Sequence, residues 1–101
     1  MSKKRFELTA FAYDKRGRLL SIGRNSYIKT HSLQAKFAKK AGRPQAIYLH
    51  AELVALLKSR QQVHKLVVVR YNKDGSPGNA KPCEICQLAI EAFNVKHVEH
   101  T

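Results

Sequence analysis

Residues 66–71, LVVVRY, form a continuous run rich in β-branched side chains, the pattern of a strand covered on both faces. Such a strand belongs inside a sheet with helices packed on it, so this run points the chain to an α/β architecture. Helical patterns flank it. Before the run, Leu49, Leu53, Leu56 and Leu57 recur at i, i+4, i+7 and i+8, and Lys58 and Arg60 suit the negative end of a helix dipole. After it, the loop NKDGSPGNAK leads to Pro82, which suits a helix opening, and Cys86, Ala89, Ile90 and Phe93 then share one face. Residues 95–99 read as a short last strand.

The N-terminal part reads as a β-hairpin. From Phe6 to Tyr13 apolar residues occupy both faces, with Phe6, Leu8, Ala10 and Ala12 on one and Phe11 and Tyr13 on the other. DKRGR at 14–18 is the turn, and Leu19, Leu20 and Ile22 continue as the second strand. Residues 32–41 suit a helix, with Ser32 as N-cap, Leu33, Phe37 and Ala41 on one face, and Gly42 and Pro44 to stop it. The expected order is ββ(α)αβαβ. A chain of 101 residues fits one domain, 1–101, built as an α/β helix-covered sheet of about four strands.

Nineteen Lys and Arg against seven Asp and Glu give a net charge of +12, which favours a polyanion or an anionic substrate as partner. The opening MSKKRFELTAFAYD is basic but then alternates, unlike a signal peptide or a membrane span, so the expected location is cytoplasmic with no membrane partner. In a reducing compartment, two cysteines at CxxC spacing read as metal ligands or a redox pair rather than a structural disulfide.

Those cysteines stand in KPCEIC, residues 81–86. Three apart in the first turn of a helix, Cys83 and Cys86 can aim both sulfurs at one point, and the helix N-terminus favours their thiolates. His50 opens the other helix within the triplet HAE, and connections across the buried strand bring the two helix starts to one edge of the sheet. One imidazole and two thiolates make three protein ligands, the number a catalytic zinc uses when its fourth position is kept for water. Glu52, beside a ligand, is suited to moving protons there.

HAE at residues 50–52 and PCEIC at 82–86 resemble the paired motifs of the zinc-dependent cytidine and deoxycytidylate deaminase superfamily, whose signature is H-x-E followed by P-C-x-x-C. The order of expected elements is consistent with that family over most of the chain, and implies a cytidine-deaminase-like sheet. The resemblance implies that His50, Cys83 and Cys86 bind Zn2+. It implies that Glu52 takes a proton from water and passes it to the base ring and then to departing ammonia, and that Ala51 lies against the substrate. Asn25 in GRNSY matches the position from which family members contact the sugar. Family members usually carry further elements beyond the fourth strand; here the chain stops at Thr101, so the last strand is expected to be a bare edge and the protein a homo-oligomer.

Between residues 24 and 44 stand Arg24, Lys29, Lys36, Lys39, Lys40 and Arg43 with no acid, a basic face expected to border the pocket mouth and hold phosphates. Lys3, Lys4, Arg5, Lys15, Arg16 and Arg18 add a second cluster. The expected substrate is therefore cytosine in single-stranded DNA or RNA, contacted by Asn25, Ala51, Tyr27, Lys36, Lys39, Lys40 and Arg43, with Tyr27 placed to stack on a base. A free cytosine nucleotide or cytidine is the alternative, and adenine a weaker third. Two other constellations compete. Cys83, Cys86, His97 and His100 spell C-x2-C-x10-H-x2-H, loosely like a zinc finger, which would make a nucleic-acid-binding module with a structural zinc; in a strand, however, the two histidines point to opposite faces. A CxxC redox enzyme is the other, and it leaves HAE unused.

Overall fold

The computed structural model describes residues 7–72 and 74–101. Lys3, Lys4, Arg5 and Phe6 lie outside the described residues. β1 (Leu8–Tyr13) and β2 (Leu19–Arg24) form an antiparallel hairpin, β1 also pairs antiparallel with β3 (Lys65–Arg70), and β3 pairs parallel with β4 (His97–His100). The mixed sheet has the order β2-β1-β3-β4. With α1 (Ser32–Lys40), α2 (Ala51–Lys58) and α3 (Glu84–Ala92) the fold is α/β, with the elements in the expected order.

The hairpin turn is fixed by Asp14, whose carboxylate accepts hydrogen bonds from the Arg16 and Arg18 backbone N–H groups and from Arg18 Nε, at 2.8–2.9 Å. These bonds, the one from the Arg18 backbone foremost, hold its carboxyl below the usual aspartate value. Gly17 supplies the left-handed residue that closes the turn, at φ 80°.

Ala10, Ala12, Leu66 and Val68 are fully buried beneath the helices. The alternate residues Phe11, Tyr13, Val67 and Val69 are half-buried, and Ile22 beside Phe11 is exposed. Cover on both faces, expected from LVVVRY, is thus complete on one face only among the described residues. β3 is apolar on both faces because it is an inner strand flanked by β1 and β4, even where no helix lies over it.

Several details differ from expectation, and α3 opens at Glu84 with Cys83 as N-cap, so Pro82 lies just before the helix. His31, not Ser32, is the N-cap of α1: its backbone is extended and its Nδ1 accepts the Leu33 N–H at 3.0 Å. The buried face of α1 is Gln34, Phe37 and Ala38, with Leu33 and Ala41 only partly covered. β4 starts at His97 rather than Val95, because Asn94 turns left-handed at φ 56° and Val95 N–H bonds back to Ile90 at the end of α3. β4 is exposed along its length and forms one edge of the sheet. No helix among the described residues is long and apolar enough to cross a membrane.

The helix that begins at His50 is pressed unusually close to the sheet. A Cβ on Gly23 would lie 2.4 Å from Ala55 N and 2.5 Å from Ala51 O, inside the backbone of α2. Ser21 Oγ reinforces the contact by donating to Ala55 O at 2.6 Å. Small residues on both sides, Gly23 and Ala10 against Ala51 and Ala55, let the two backbones meet. Gly23→Ala should therefore push α2 outward at a cost of about 2 kcal/mol, read as a fall in Tm of roughly 8–16 °C. An unchanged melting curve would mean that the seam tolerates a methyl group.

Candidate metal centre

α2 and α3 start beside each other at the end of the sheet where β3 finishes, the usual place for sites in α/β folds. His50 is the N-cap of α2 and Cys83 the N-cap of α3, and Cys86 closes the first turn of α3. Neither N-cap side chain caps its own helix. They turn towards each other instead, with His50 Nδ1 3.2 Å from Cys86 Sγ and 3.5 Å from Cys83 Sγ. The three ligand atoms lie within 4.8 Å of one another, the one such group of three among the described residues.

Tetrahedral bonds of about 2.0–2.1 Å to nitrogen and about 2.3 Å to sulfur would place those atoms about 3.6 Å apart, so the spacing fits a shared ion. The donor set, one imidazole and two sulfurs, suits zinc and its neighbours rather than magnesium or calcium. The electrostatics act on the two sulfurs in opposite directions. Cys83 is pushed down to about 3, first by its hydrogen bond with Cys86 and then by His50. Cys86 is pushed well up by the same hydrogen bond and by burial, and His50 is raised by its hydrogen bond to Cys83. An ion held by both sulfurs would displace the thiol protons.

Glu52, two residues after His50, is 3% exposed. Burial raises its carboxyl above the usual range, against a hydrogen bond with Cys86 that acts the other way. A cavity of about 350 Å³ is lined by His50, Ala51, Glu52 and Cys83 together with Asn25, Tyr27, Tyr48 and Lys81. Backbone bonds from Ser26 to Leu49 and from Leu49 to Lys29, at 2.8 and 2.9 Å, tie the loop after β2 to the segment before His50. That pairing brings Asn25 and Tyr27 onto the same cavity as His50 and Cys83. Asn25 Oδ1 accepts the Leu8 N–H at 2.9 Å, so this oxygen anchors the start of β1.

Lys36, Lys39, Lys40 and Arg43 are exposed and do not line the cavity. Lys40 borders a groove with Glu84 and Glu91 of α3. Arg43 is near enough that its charge opposes the rise at His50. Tyr48 and Lys81, with no role assigned from the sequence, both line the cavity. Their adjacency to HAE and PCEIC is the signal that could have found them. His97 and His100 stand outside the cysteine cluster; His97 packs edge-on against His64 with ring centres 5.0 Å apart. A wider groove of about 790 Å³ at the opposite end of the sheet, between Tyr13, His64 and β4, holds no converging group of three ligands.

No model of a known protein family matches the chain, and no curated protein matches it. The geometry of the site stands by itself. Protein purified under reducing conditions should carry about one metal ion per chain by elemental analysis, and Cys83→Ala or His50→Ala should bring this close to zero. A wild-type chain that stays empty with zinc supplied would refute the metal centre.

Proposed function

We propose that the protein is a zinc-dependent deaminase that converts cytosine to uracil in single-stranded nucleic acid. The observation that carries this reading is Glu52: a buried carboxyl, two residues after His50, on a cavity of nucleoside size that His50 and Cys83 also line. His50, Cys83 and Cys86 would hold the ion. Bound there, zinc supplies a water activated for attack near neutral pH.

Glu52 would take a proton from that water and deliver it to the ring nitrogen of cytosine as the water oxygen bonds to C4. It would then carry the remaining proton, from the hydroxyl now on C4, to the exocyclic nitrogen, so that C4=O forms, the C4–N bond breaks and ammonia leaves. A carboxyl whose burial raises its affinity for protons can hold one between the two transfers. Ala51, at the first helical position, has a backbone N–H without an intrahelical partner to offer the base. Tyr27 and Tyr48, 42% and 48% exposed, offer ring faces on which a base can stack, each worth roughly 1–3 kcal/mol. Lys81 at the cavity, Arg43 near His50, and Lys36 and Lys39 on α1 offer charges to phosphates on either side.

A free cytosine nucleotide is the second reading. Among the described residues, Lys81 is the one Lys or Arg that lines the cavity, and one charge suits one phosphate. Glu52→Gln should keep metal and fold while turnover falls by at least about 100-fold, the low end for loss of a general acid–base group. Near wild-type turnover would remove Glu52 from the chemistry.

Oligonucleotide, deoxycytidylate and cytidine assayed side by side decide the substrate. Single-stranded oligonucleotide should react best, weaken steeply as salt rises, and outpace duplex, where a paired cytosine must first leave its stack. Conversion of deoxycytidylate with oligonucleotide untouched would assign the free nucleotide instead.

A further inference from the structure

α2 begins without either of the local devices that usually secure a helix N-terminus. His50, its N-cap, makes no side-chain cap bond, because its imidazole faces Cys83 and Cys86. Three residues on, where a capping box places Glu or Gln to accept the N-cap's own N–H, stands Leu53, which is buried in the core. The His50 N–H goes instead to Gln34 Oε1 at 3.2 Å, on a different helix.

Gln34 sits on the inner face of α1 between the chain and its core, with no exposed surface. Its Nε2 is buried and has no hydrogen-bond partner among the described residues. An apolar side chain of similar volume would fill the same space without leaving a donor unmet, so packing alone does not account for glutamine here. α1 also packs against α3, the helix capped by Cys83. It therefore touches the supports of ligands on both helices.

We propose that Gln34 is a positioning residue for the metal centre: from α1 it takes the role of a capping-box residue for α2, holding the His50 backbone so that Nδ1 meets the two sulfurs. This rests on His50, Cys83 and Cys86 holding a metal, and extends it by assigning the group that aims the first ligand. Groups standing behind metal ligands tune affinity without touching the ion.

The test uses the full chain and two substitutions. Gln34→Met keeps the volume and removes both the acceptor and the unmet donor; Gln34→Glu keeps an acceptor oxygen at the same reach. Zinc affinity is measured by competition with a chromophoric chelator, ligand geometry by the absorption of the cobalt-loaded protein, and the hydrogen bond itself by amide exchange at His50. Gln34→Met should lower zinc affinity about 10- to 100-fold, alter the cobalt spectrum and speed exchange at His50, while the metal-free Tm stays near wild type, because removing the unmet Gln34 Nε2 offsets the His50 N–H left without an acceptor. Gln34→Glu should recover most of the affinity. Wild-type affinity and exchange in Gln34→Met would overturn the proposal. So would an affinity loss that tracks a lower metal-free Tm and is not recovered by Gln34→Glu, the signature of a packing residue. Failure of the unsubstituted chain to bind zinc would overturn the metal reading itself, and this inference with it; the three results are separable.

Discussion

The meeting of two helix N-termini is the constraint from which the rest of the site follows. His50 and Cys83 each occupy an N-cap, a position whose side chain ordinarily satisfies its own helix, and here each is turned outward to a common point. The positive ends of both helix dipoles then face the sulfurs, an arrangement that favours a thiolate; the Cys83 thiol is held low while Cys86, hydrogen-bonded with it and more deeply buried, is pushed up. His31 shows the ordinary alternative within the same chain, since its Nδ1 caps α1 directly. Diverting the His50 ring leaves α2 dependent on contacts from outside itself.

Those contacts come from two directions. Beneath α2, Gly23 and Ser21 on β2 meet Ala51 and Ala55, so the helix axis is set by backbone approaching backbone. Beside it, the Gln34 amide holds the first residue. Glu52 is buried because α2 lies this low: the turn that follows His50 is pressed into the interior, where loss of water raises the carboxyl's affinity for a proton. One packing arrangement thus accounts for the ligand, the buried acid and the lining of the cavity.

Charge is distributed on a larger scale. The chain's excess of nineteen basic over seven acidic residues is not concentrated in the cavity, where Lys81 stands among apolar and aromatic neighbours. Lys36 and Lys39 lie outside it on α1, and Lys40 faces the acids of α3. A field of this kind attracts anions over a wide surface rather than at the cavity alone.

Much of this was legible in order along the chain. The hairpin, the leucine-spaced helix and the apolar strand are local patterns, and HAE and PCEIC singled out the three side chains that the fold brings within 4.8 Å of one another, because donor chemistry and short spacing are properties of sequence. What tertiary structure decided depends on residues far apart in the chain. The capping by His31, the start of β4 after Asn94 and the half-open second face of the sheet turn on where neighbouring elements end. Gln34, a polar residue on an otherwise apolar face of α1, acquires meaning only because folding brings a backbone N–H sixteen residues away within 3.2 Å. Gly23 likewise matters through what approaches it, and Tyr48 and Lys81 through the cavity they come to share. Composition and spacing determine which chemistry a chain can assemble; the close approach of backbones, which no local pattern records, determines where each group points.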